Sequence, residues 1–143
     1  MGGMTETAFH HLQVTVGDLE VSRAFYGGFL GLREMTRPTT FDFPGAWFAL
    51  AGGQELHLVC VPEPIWQATV RPMQIYETHI ALRVPSFRGA LERLRTAGFS
   101  EDLPDEDQRK IVIKWDSPTG YPQVYFLDPD RHLVEWNAVV VVD

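Results

Sequence analysis

Polar and apolar residues alternate from His11 to Val16, with His11, Gln13 and Thr15 on one side and Leu12, Val14 and Val16 on the other. That period predicts a strand with one buried face. Asp18 is placed to cap a helix, whose apolar stripe would be Leu19, Ser22, Phe25, Tyr26 and Phe29, closed by Gly31. Three strands are expected next, over Arg33 to Thr40, Ala46 to Leu50 and Gln54 to Val61, with Pro44-Gly45 and Gly52-Gly53 as turns. The pattern then starts again. His79, Ala81 and Arg83 alternate with Ile80, Leu82 and Val84, and Ser86 caps a helix with Phe87, Ala90, Leu91, Leu94 and Ala97 on its apolar face. Gly98 stops that helix, and strands are expected near Phe99 and over Lys110 to Trp115, Gln123 to Leu127 and His132 to Ala138.

The order is strand, helix, three strands, given twice. His11 and His79 open the two copies 68 positions apart, and the glycine ending each helix follows its histidine by 20 positions (Gly31) and 19 positions (Gly98). The expected division is a flexible N-terminus over 1–8, a first module over 9–61, a proline-broken linker over 62–75, a second module over 76–138 and an apolar tail over 139–143. One such half would leave a sheet face uncovered. The fold class this predicts is α+β, two tandem βαβββ modules whose sheets pair around a central cavity.

Composition narrows the function. A net charge of −7 leaves no basic stripe, which excludes a general phosphate-binding surface and makes nucleic acid an unexpected partner. Cys60 is the single cysteine and sits in an apolar run, so it reads as a structural thiol with no internal disulfide. No stretch approaches the roughly 20 apolar residues of a membrane span. A cytoplasmic protein acting on a small molecule is the expectation.

Each module also carries a polar residue in its last, otherwise apolar strand: His57 in "QELHLVCV" and Glu135 in "HLVEWNAV". With His11 and His79 these form a first-strand and last-strand pair in each copy. Alternation along a strand lets all four face a shared cavity, where imidazole and carboxylate suit Zn, Ni, Mn or Fe. A strand histidine is also a common satisfied structural residue, and the pattern alone leaves both readings open. His10 and His132 lack equivalents in the repeat and read as structural or surface residues. Trp47, Trp66, Tyr76, Trp115 and Tyr121 lie where they would wall the cavity or fill the core.

Two stretches, "HLQVTVGDLEVSRAFYGGFLGL" (11–32) and "FLDPDRHLVEW" (126–136), with "HIALRV" (79–84), resemble the vicinal oxygen chelate superfamily of glyoxalases, fosfomycin-resistance enzymes, extradiol dioxygenases and bleomycin-resistance proteins. The resemblance spans roughly residues 9–137. It implies a divalent metal held by His11, His57, His79 and Glu135, with Glu135 as general base and His57 as a further catalytic group or ligand. It implies a glyoxalase-like lyase or isomerase acting through an enediolate on a substrate chelated by neighbouring oxygens. The alternatives are an Fe(II) extradiol dioxygenase, a fosfomycin-type thiol transferase and a non-enzymatic antibiotic-binding protein. It also implies a homodimer. The sequence departs from glyoxalase I in having His57 at a position commonly Glu or Gln. Thr15 stands where bacterial glyoxalase I has a glutathione-binding arginine, with Arg83 at the equivalent step of the second module, and Arg131 replaces a turn glycine.

Overall fold

The structure, a computed structural model, describes residues 5–61 and 69–139. Trp66, half of the expected linker (62–68) and most of the apolar tail lie outside the described residues. The chain divides into two compact units, Met1–Gln67 and Ala68–Asp143.

In the first unit, β1 (His11–Val16) leads into α1 (Leu19–Arg23), which runs on as a π-helical turn (Ala24–Phe29), followed by β2 (Arg33–Met35), β3 (Gly45–Ala49) and β4 (Glu55–Cys60). The second unit has β5 (His79–Arg83), α2 (Phe87–Thr96), β6 (Val112–Lys114), β7 (Gln123–Leu127) and β8 (Leu133–Asn137). The sheets are ordered β1-β4-β3-β2 and β5-β8-β7-β6. In both, the first and last strands run parallel and the remaining pairs antiparallel. The chain is therefore α+β, built from two βαβββ modules of the same topology.

Local chemistry sets the element ends. The Val21 amide donates to Asp18 Oδ1 at 3.1 Å and the Gly89 amide to Ser86 Oγ at 2.9 Å, satisfying donors that a helix N-terminus otherwise leaves open. At the other ends Gly31 and Gly98 take φ of 79° and 90°, a region that costs a residue with a Cβ. Phe87, Ala90, Leu91 and Leu94 are buried along α2 as the stripe predicts, whereas Ala97 is exposed. Ala97 is already the C-cap, where the chain turns away through the Phe99 amide bond to Leu94 O.

Val124, Phe126, Val134 and Trp136 form one buried face of the second sheet, each large side chain contributing about 1.5–3 kcal/mol. Tyr125, Leu127 and Leu133 lie on the other, packed with Met73, Ile75 and Val112. In the first unit Tyr26, Phe48, Leu56 and Leu58 are almost wholly buried.

Three expected strands fall well short, one of them β6, which is confined to Val112–Lys114 of the expected Lys110 to Trp115. β2 ends at Met35, after which Arg37 donates to Phe43 O at 2.9 Å and lays its guanidinium over the Phe41 and Phe43 rings, so the chain curls away from β3. Near Phe99 the strand is reduced to an isolated Ser100–Lys110 bridge. Among the described residues no helix is long and apolar enough to cross a membrane.

Candidate functional site

The repeat extends to strand register. His11 pairs with Glu55 and Gln13 with His57, while His79 pairs with Leu133 and Ala81 with Glu135. Each first-strand histidine is thus offset by two positions from the polar residue of the last strand. On the antiparallel side Trp47 is opposite His57 as Tyr125 is opposite Glu135. His11 corresponds to His79, His57 to Glu135, Trp47 to Tyr125 and Thr15 to Arg83.

In the second unit, Glu135 is buried and its carboxylate is surrounded by donors. Gln123 Nε2 donates to Oε1 at 3.1 Å, Asn137 Nδ2 donates to Oε2 at 2.6 Å, and the Tyr125 hydroxyl also bonds to it. Burial first, and then that carboxylate, push the Tyr125 phenol up to about 12. Arg83 Nε donates to Asn137 Oδ1 at 2.8 Å, which turns the Asn137 amide nitrogen toward Glu135. The Arg83 guanidinium lies over the Tyr121 ring at 4.4 Å.

His79 Nδ1 donates to the Glu77 carbonyl at 2.7 Å, so in the neutral ring Nε2 carries the lone pair. That Nε2 is 3.6 Å from Glu135 Oε1, too far for a hydrogen bond. Two lone-pair atoms that face one another repel unless a proton, a water molecule or a cation lies between them. Ligands about 2.1 Å from one tetrahedral ion stand about 3.4 Å apart, so this pair fits a metal.

The first unit is arranged differently. The His57 ring is sandwiched between His11, at 4.2 Å and 16°, and Trp47, at 4.1 Å and 4°. A ligand nitrogen directs its lone pair in its own ring plane, and a single ion cannot lie in the planes of two stacked rings. As they stand, His11 and His57 do not converge on one ion. His57 Nε2 is instead 2.8 Å from Glu55 Oε1, and this hydrogen bond is the main cause holding the Glu55 carboxyl below the ordinary glutamate range. His11 Nδ1 meets His10 Nδ1 at 2.8 Å, so His10 is a partner of the candidate residue rather than an isolated surface group. Within neither unit do three His, Cys, Asp or Glu side chains among the described residues gather as a metal ion requires.

Of the other aromatics, Trp115 is half exposed with its ring edge-on to Phe87, and Tyr76 is almost fully exposed. Cys60 is partly buried, with Sγ 3.7 Å from Gly17 O. Arg131 adopts φ 67°, the conformation that favours glycine. Its guanidinium is tied to Gln108 Oε1, Arg71 O and Glu106 O, which holds the strained backbone in place.

A family model described as the Glyoxalase/Bleomycin resistance protein/Dioxygenase superfamily matches residues 8–136. The chain belongs to this superfamily. Among superfamily relatives, Glyoxylase I 4 of Arabidopsis thaliana is 26% identical over 129 residues, covering 90% of this chain and 69% of that protein. A glyoxalase/dioxygenase from Nostoc punctiforme is 26% identical with a TM-score of 0.70, covering 92% of this chain and 90% of its own. A variant of the fosfomycin resistance protein FosX from Listeria monocytogenes shares the fold, with a TM-score of 0.64 and 22% identity over 94% of this chain and 93% of its own. That protein was crystallised with Mn(II) and 1S,2S-dihydroxypropylphosphonic acid.

Gln123, Tyr125, Asn137 and Glu55 are the residues around the site that the sequence pattern alone did not single out. Their signal is positional: each lies two residues from His57 or Glu135 on the same strand, or on the neighbouring strand on the same side of the sheet.

Proposed function

We propose that this protein is a metal-dependent enzyme of glyoxalase type, in which His11, His79 and Glu135 are ligands of a divalent first-row ion and His57 is a further polar group of the same site. The observation that carries this reading is the second-unit pair, a buried carboxylate facing the lone pair of a histidine whose tautomer is fixed by a backbone carbonyl. The equivalence of His11 to His79 extends it to the first module. Bound there, the ion would supply Lewis acidity toward two neighbouring oxygens of a small substrate.

The chain's own residues do the rest. Glu135 is the base that takes a proton from the carbon beside those oxygens and returns it to the adjacent carbon, giving an isomerisation with no net change in atoms. Tyr125, Gln123 and Asn137 hold its carboxylate in one orientation, and Arg83 holds Asn137. Trp47 and Tyr121 offer flat apolar surfaces beside the polar groups.

Elemental analysis of the purified protein beside His11→Ala and Glu135→Ala tests the reading. It predicts about one first-row metal per chain in the wild type, lost in both variants. A wild type that takes up no metal after incubation with Zn, Ni, Mn or Fe overturns it.

A second reading rests on the stacked rings of His11 and His57, which leave His11, His79 and Glu135 as a two-histidine, one-carboxylate set. That is the ligand set of non-haem Fe(II) oxygenases. Iron bound in preference to nickel and zinc, with oxygen consumed on addition of a catechol, would favour it over the isomerase.

A further inference from the structure

We infer that Glu55 is a positioning residue that fixes the tautomer and orientation of His57. The inference rests on the reading above, in which His57 belongs to the site. Glu55 and His57 lie two positions apart on β4 and so on one face of the sheet. His57 Nε2 is 2.8 Å from Glu55 Oε1, and an ionised carboxylate only accepts, so the proton sits on Nε2 and the lone pair on Nδ1. The faces of the ring are covered by Trp47 and His11, and the side chain is 9% exposed. With both faces and Nε2 occupied, Nδ1 is the nitrogen left to meet an ion or a substrate.

The arrangement belongs to the first module. Leu133 occupies the position in β8 that Glu55 occupies in β4, since His79 pairs with Leu133 as His11 pairs with Glu55. His79 is fixed the opposite way round, its Nδ1 donating to a carbonyl and its Nε2 carrying the lone pair. The two modules therefore present imidazoles through different nitrogens. A carboxylate that hydrogen-bonds an imidazole raises the basicity of the other nitrogen and restricts the ring, a role that a surface ion pair of no consequence would not fill.

The test uses the metal-free protein with 15N-labelled histidines at about pH 8, where imidazoles are mostly neutral. Two-bond 15N–1H correlations report the tautomer of each ring, and the His57 signals are assigned by their loss in His57→Gln. The expected result is the Nε2–H form of His57 in the wild type and in Glu55→Gln, which keeps an acceptor oxygen. Glu55→Leu, which gives this position the residue its counterpart already carries, should show both tautomers. A wild-type His57 in the Nδ1–H form, or a Glu55→Leu spectrum identical to wild type, overturns the inference.

A second readout is Mn²⁺ and Zn²⁺ affinity by calorimetry, expected to fall severalfold in Glu55→Leu, where the freed His57 ring no longer holds the His11 ring stacked on it, and to stay near wild type in Glu55→Gln. Unchanged affinity in the Leu variant overturns the inference that the pinned ring serves the site. The spectra need no metal, so failure of the metal reading and failure of this inference are told apart.

Discussion

Replacing Glu135 by Gln asks what a buried carboxylate contributes before any ion is bound. The side chain is 3% exposed and three donors converge on it: Gln123 Nε2, Asn137 Nδ2 and the Tyr125 hydroxyl. An amide of the same shape keeps one acceptor oxygen but points its NH₂ at a donor. A buried donor left without a partner costs about 1–3 kcal/mol. The opposing effect is the desolvation of the carboxylate, which the neutral variant no longer suffers. With three hydrogen bonds already made, the first effect should win, and the variant should be about 1–3 kcal/mol less stable. For a chain of about this size, each kcal/mol lowers the melting temperature by roughly 2–4 °C.

Thermal unfolding followed by circular dichroism in EDTA gives that number. Repeated with Zn²⁺ at about 100 times its Kd, wild type should gain about 2.7 kcal/mol and the variant close to nothing. A Gln variant as stable as wild type in EDTA refutes the hydrogen-bond reasoning. A full zinc-induced rise in the variant refutes the role of Glu135 as a ligand.

Three further outcomes are expected. In the metal-free protein the Tyr125 phenol, raised to about 12, supplies stability that is complete below pH 10 and lost as pH rises through 12; absorbance at 295 nm should show a late phase that Tyr125→Phe removes. Completion of all tyrosine ionisation by about pH 11 would refute it. Arg131→Gly relieves about 1 kcal/mol of backbone strain but removes hydrogen bonds to Gln108, Arg71 and Glu106, so a net loss of about 1–2 kcal/mol is expected in urea unfolding, and a gain would show that the strain dominates. Phe126→Ala, at a fully buried position in contact with Trp136 and Phe99, should cost about 3–5 kcal/mol in the same assay.

The parts of the fold legible in the sequence are those with a local physical cause. β1 has the bounds that the alternation from His11 to Val16 predicts, and Asp18 and Ser86 cap the helices they precede. β2 runs short because Arg37 is drawn to the Phe43 carbonyl and ring, a contact between residues that no periodicity relates. In the same way His11, His57, His79 and Glu135 were legible as equivalent positions of a repeat, while their partners were not. Glu55, Gln123, Tyr125 and Asn137 matter through register and through which atom donates, and neither is written in residue type. The stacking of His57 between His11 and Trp47 depends on ring rotation, which alternation does not constrain.

The π-helical turn in the first module has a genealogical side. Each helix cap follows its module's histidine by seven positions, Asp18 after His11 and Ser86 after His79, but thirteen positions separate Asp18 from Gly31 and twelve separate Ser86 from Gly98. From the opening histidine to the glycine that ends the helix, the copies thus differ in length by one residue, and that difference lies wholly inside the helix. A π turn is where a helix absorbs one extra residue, and the Leu30 amide reaching back five positions to Phe25 O marks the place. If the two modules descend from one ancestral segment, a single codon gained or lost since the duplication has been taken up within the helix, sparing the strands that carry the histidines from any shift. Removing the codon for Gly27 or Gly28 would then give the first copy the helix length of the second.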